Sequence, residues 1–195
     1  MFFLLFWNFQ IKAYEIQWIS EEQKEFNSLI TKEINETLSW LYLDWILNKD
    51  HLKNIFDNIY LIYNNNWKYN SKMYEWFIRF DKNFNFKNIE INFFTYQWNK
   101  ILYIKDKIKK LLIHEIWHYI SFYIDKNSDN FYSICFQWNK INCDKNDFIS
   151  DYSKTNYYED YAETFLHWYY FKNQNWKKSS DKLNQKIKHF DNLFK

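Results

Sequence analysis

Leu111-Leu112-Ile113-His114-Glu115-Ile116-Trp117-His118-Tyr119-Ile120 sets two histidines and a glutamate inside an otherwise apolar run. Around it Ile108, Leu111, Leu112, Ile116, Tyr119 and Ile120 recur three and four positions apart, which predicts a core helix from Asp106 to about Tyr123. Positions i and i+4 of a helix share a face, so His114 and His118 can hold one cation while Glu115 reaches a water beside it. With five histidines and 11 glutamates in 195 positions, chance supplies roughly 0.007 matches to this H-E-x-x-H pattern. Coincidence is therefore a weak explanation. A purely structural reading must also explain ionisable groups inside an apolar stretch, where burying charge is unfavourable.

A catalytic zinc takes three protein ligands and leaves one position open, so a third ligand is expected downstream. Tyr152-Ser153-Lys154-Thr155-Asn156-Tyr157-Tyr158-Glu159-Asp160-Tyr161-Ala162-Glu163 supplies candidates. Glu159 and Glu163 are again i and i+4, and two carboxylates on one helical face favour a cation. Asp160 points about 100° away from them and is expected to serve the helix N-terminus or to bind a neighbour. His51, His167 and His189 have no suitable partners in the sequence.

The two runs together, H-E-x-x-H and then Y-x-x-T-N-x-x-E-D-Y-A-E, resemble the catalytic domain of anthrax lethal factor and related small zinc peptidases, over roughly residues 105–172. The resemblance implies an α+β, zincin-like domain with one zinc ion held by His114, His118 and Glu159. It further implies Glu115 as general base, Tyr152 as hydroxyl donor to the oxyanion, Glu163 as the partner of a ligand histidine, and a peptide or protein as substrate. These roles are chemically consistent, because zinc acidifies a bound water, a carboxylate takes its proton and a phenol stabilises the new negative charge. One departure stands out: this family commonly has glycine immediately before the second histidine, where this chain has Trp117. Two other readings remain open, a zinc-binding or toxin-like module without turnover and an interaction protein with aromatic surfaces.

Outward from the motif, residues 20–39 place Phe26, Leu29, Ile30, Ile34 and Leu38 at helical spacing behind Ser20-Glu21-Glu22. Residues 59–63, 75–80 and 88–94 are β-prone and predict a small mixed sheet. Residues 88–94 are the candidate edge along which an extended peptide would pair. The polar stretch 125–155 reads as a long surface connection, followed by helices over about 156–171 and 179–194. A single domain is expected over residues 14–195, behind a possible signal-like segment, 1–13, that opens Met1-Phe2-Phe3-Leu4-Leu5-Phe6.

Hydrophobic residues make up 47% of the chain and charged ones 26%, a composition that folds. A net charge of +2 without a basic block gives no footprint for nucleic acid. No segment approaches the roughly 20 apolar residues of a membrane-spanning helix. Cys135 and Cys143, eight apart, read as a disulfide of an exported protein. The oddity is the absence of glycine and proline beside 11 tryptophans. Trp18, Trp67, Trp98, Trp138 and Trp176 stand in polar, turn-like settings where glycine is the usual residue. A gene that reads UGA as glycine, written out with UGA as tryptophan, has both features. An AT-rich genome accounts for the abundant Phe, Ile, Asn, Lys and Tyr, but does not favour Trp over Gly.

Overall fold

Helical spacing of apolar residues in the first third of the chain produces α1 (Glu21–Leu43), whose buried stripe is Ile30, Ile34, Leu38 and Leu41. The computed structural model describes residues 12–13, 21–64, 74–81, 85–94, 101–137, 140–172 and 180–195. It is a mixed α and β structure, mostly helical, with small sheets. The backbone groups into two compact units, Met1–Lys109 and Lys110–Lys195.

In the first unit, α1 runs past the expected end at residue 39 and closes with a left-handed turn. Ile46 N–H donates to Leu41 C=O at 3.0 Å, and Trp45 N–H to Tyr42 C=O at 3.1 Å. The turn brings Ile46 and Leu47 into the core. A short helix not foreseen in the sequence, α2 (Lys49–Phe56), follows. Asn48 caps it by accepting from His51 N–H at 2.9 Å, and Ile55 and Phe56 are buried.

The strands are β1 (Lys12–Ala13), β2 (Ile59–Asn64), β3 (Tyr74–Phe80) and β4 (Phe86–Phe94). They form a sheet of order β1-β2-β4-β3, with β1 and β4 both parallel to β2 and β3 antiparallel to β4. The expected mixed sheet is therefore present. The expected edge is not residues 88–94: β4 has ladder partners on both sides, and among the described residues β3 lies outermost beside it. Strand order is fixed by long-range pairing, which local alternation does not encode. β1 takes in the last two residues of the signal-like segment 1–13, whose first 11 lie outside the described residues.

The second unit contains α3 from Lys110 onward, within Ile101–Tyr123, then α4 (Ser128–Cys135), α5 (Tyr157–Phe171) and α6 (Asp181–Leu193). Two two-residue strands, β5 (Phe136–Gln137) and β6 (Lys140–Ile141), pair between α4 and α5. Segment 125–155 is thus not an open connection: α4 buries Phe131 and Cys135, and 3-10 turns occupy 145–147 and 152–154. The Cys135–Cys143 disulfide forms as expected and lies in a small cluster with Phe136 and Phe148. Among the described residues no helix is long and apolar enough to cross a membrane.

Both late helices begin on side-chain caps. Asn156 accepts from the N–H groups of Tyr158 and Glu159, and Ser180 accepts from that of Leu183. Aromatic rings fill the space between α4, α5 and α6. Phe190 has Tyr161, Phe165 and Phe131 within 5.0, 5.2 and 5.4 Å, ring centre to ring centre.

Through this apolar core passes an ion pair. Lys186 Nζ lies 2.7 Å from Asp160 Oδ2, both side chains almost wholly buried, and donates to Asp147 C=O at 2.8 Å. Asp160 therefore binds a neighbour, as expected of a residue turned away from Glu159. Burial raises its carboxyl to about 6 even though Lys186 draws it down. Removing one partner of such a pair strands a buried charge, whereas replacing both is tolerated. Lys186→Met should destabilise the fold by about 3–5 kcal/mol in urea unfolding, and a matched Asp160→Leu change should recover much of it.

Candidate metal centre

The helical register of α3 does what the spacing requires: His114 and His118 share a face, with ring centroids 5.1 Å apart. Opposite them α5 presents Glu159, one turn from its capped start. Glu159 Oε2 sits 3.0 Å from His114 Nε2 and 3.6 Å from His118 Nε2. Among the described residues these three form the group whose ligand atoms converge, all within 4.8 Å of one another. Both histidines are buried and Glu159 nearly so.

Two imidazole nitrogens and one carboxylate oxygen are a donor set for a first-row divalent ion. Bonds of about 2.0–2.2 Å in tetrahedral geometry place ligand atoms roughly 3.3–3.6 Å apart. The separations from Glu159 Oε2, 3.0 and 3.6 Å, lie around that spacing and all three atoms are within 4.8 Å, so the group could hold a metal ion.

His114 is held at both nitrogens. Its Nδ1 lies 3.1 Å from Glu163 Oε1, while Ser150 Oγ donates to Glu163 Oε2 at 2.8 Å. Ser150 and Ser153 clamp one another: each backbone N–H donates to the other's hydroxyl, at 3.0 and 3.1 Å. Sequence reasoning found Glu163 but missed the two serines. The signal was the Ser-x-x-Ser spacing, which favours reciprocal hydroxyl-to-backbone bonds in a tight turn.

That turn carries Tyr152. Its ring centre is 6.0 Å from that of His114, and the residue is 53% exposed, so the phenol borders both the buried cluster and solvent. Partial burial, with the Glu159 carboxylate beside it, pushes the phenol up to about 12. It therefore remains a proton donor at any physiological pH. Glu115 is buried on α3, and its charge acts on both His114 and Tyr152.

Charges in the cluster are strongly coupled. Burial opposes protonation of His114, but hydrogen bonds to Glu159 and Glu163 and the nearby carboxylate charges outweigh it, raising the imidazole to about 9. Burial likewise disfavours the Glu159 carboxylate, yet its hydrogen bonds to His114 and His118 hold it far below the usual range. Glu163 is lowered in the same way by His114 and Ser150. All the sequence-derived site residues thus gather around His114.

His189, set aside in the sequence, does have partners. Its Nε2 is 2.5 Å from Asp125 Oδ2, which also accepts from Tyr161 Oη at 2.7 Å. This network ties α6 and α5 to the end of α3, apart from the convergent trio. The 64-position separation of His189 from Asp125 hid it from sequence inspection. Compared with protein-family models, curated proteins and solved structures, the chain finds no match.

A cation takes the lone pair of a neutral imidazole, so its uptake expels the His114 proton. Because that imidazole is raised, divalent-cation affinity should climb with pH up to about 9 and then level off, as read by chelator competition. Glu163→Gln, which replaces the carboxylate at His114 Nδ1, and Ser150→Ala, which removes the hydrogen bond that orients Glu163, should each weaken cation affinity roughly 10–100-fold in the same assay.

Proposed function

We propose that this chain is a zinc-dependent peptidase with a zincin-like domain, in which His114, His118 and Glu159 hold one zinc ion. The observation that most supports this reading is the convergence of those ligand atoms beside a buried Glu115, which a purely structural metal site does not need. The mixed nitrogen and oxygen donor set also suits zinc.

Zinc at such a site lowers the pKa of its water toward about 7 and polarises a carbonyl. Glu115 takes a proton from the attacking water, whose oxygen bonds to the scissile carbonyl carbon. As the carbonyl oxygen gains charge, Tyr152 donates its phenolic hydrogen bond, and the raised phenol keeps that proton throughout. Glu115 then delivers its proton to the amine nitrogen as the C–N bond breaks, leaving a carboxylic acid and an amine. Glu163 fixes His114 through Nδ1 and leaves Nε2 facing Glu159, where the three residues would hold the ion. The substrate on this reading is a peptide or protein chain. The disulfide is compatible with an oxidising compartment, and we extend the proposal to a secreted or otherwise exported protein.

Elemental analysis of purified protein should find near one zinc per chain, lost in His114→Ala and in Glu159→Ala. Glu115→Gln should retain the metal and lose peptide hydrolysis by roughly 10²–10⁴-fold. Tyr152→Phe should retain it and lose roughly 10²-fold in kcat. Zinc held by the parent chain with no peptide hydrolysis would instead mark a zinc-binding module without turnover.

A further inference from the structure

Two tryptophans in this fold occupy positions that an indole does not suit. Trp117, fully buried on α3 beside the second histidine, lies against Phe165 of α5 with ring centres 2.8 Å apart and planes 25° from parallel. Carbon atoms meet most favourably at about 3.5–4.0 Å, and aromatic pairs settle with centroids about 4.5–7 Å apart. The rings therefore claim the same space. The indole Nε1 of Trp117 is also buried without a hydrogen-bond partner among the described residues, a condition that buried tryptophans avoid.

Trp45 is misplaced for an independent reason. Its φ is +60°, the left-handed region, and it is the one such residue among those described. The paired bonds from Ile46 N–H to Leu41 C=O and from Trp45 N–H to Tyr42 C=O are the Schellman closure of a helix. That motif places a left-handed residue where Trp45 stands, usually glycine, because a Cβ there crowds the backbone. The side chain is 91% exposed and so gains little from packing. Trp168 is the contrast: also buried, it donates its Nε1–H to Asp191 Oδ1 at 2.7 Å and lies 5.0 Å from Phe165.

We infer that glycine, not tryptophan, occupies positions 117 and 45 of the natural polypeptide, through a codon read as glycine by its own translation machinery. Composition raised the possibility. The core overlap at 117 and the left-handed turn at 45 now assign it to particular residues, each by a different physical argument. The turn-like tryptophans at 18, 67, 98, 138 and 176 lie outside the described residues and take no part in the assignment. Glycine at 117 relieves the overlap between α3 and α5, the two helices that bring His114 and Glu159 together.

The direct test is mass spectrometry of the tryptic peptide Leu111–Lys126 from protein made in its natural cells. Glycine at 117 is expected, and tryptophan there overturns the inference. Recombinant variants give a second reading with an unusual sign. Replacing a well-seated core tryptophan by a small residue strongly destabilises a protein, yet Trp117→Gly is expected to raise Tm over the chain with tryptophan. Trp45→Gly should raise it by roughly 2–4 °C, through the relieved backbone. A fall in Tm for both variants would also overturn the inference.

Discussion

The contact on which the second unit depends is that of Glu159 with His114 and His118, a carboxylate from one helix set between two imidazoles of another. Three polar groups in an apolar interior are costly to desolvate unless each is satisfied. Here the Glu159 carboxylate and the protonated His114 satisfy one another in part, and the same atoms suit a divalent ion. Whichever partner they have, the contact requires α3 and α5 to keep their register. The remainder of the unit serves that register: the Asn156 cap fixes where α5 begins, and the Ser150–Ser153 turn fixes what precedes it.

Support for the register is layered. Behind His114 stand Glu163 and then Ser150, so the ring is oriented from its far side as well as its near one. Behind α5 stand Asp160 and Lys186, joined through the core, and the ring cluster centred on Phe190. The Asp125, Tyr161 and His189 network closes the end of α3. Polar groups buried this deeply add little net stability but penalise any slip strongly, because a slip leaves each of them unpaired.

Much of this was legible in the sequence, and for identifiable reasons. Helical periodicity is a local property, so α1, α3, α5 and α6 could be read from their apolar spacing, as could the shared faces of His114 with His118 and of Glu159 with Glu163. The long-range pairings were not. Nothing in the local pattern of residues 88–94 says that β4 is flanked on both sides, or that His189 meets Asp125. The short helices α2 and α4 escaped because each buries only two residues, Ile55 with Phe56 and Phe131 with Cys135, within otherwise polar stretches. The serine clamp was visible as spacing, but its link to Glu163 depends on tertiary position.

Zinc-edge X-ray absorption of the purified, zinc-loaded chain tests the central claim most directly, since it reads the ligand atoms themselves. The account predicts two imidazole nitrogens and carboxylate oxygen at about 2.0–2.2 Å. In His118→Ala, as in the other two ligand variants, the zinc and its imidazole signal should be lost. A spectrum without imidazole scattering, or one unchanged by that substitution, would contradict it.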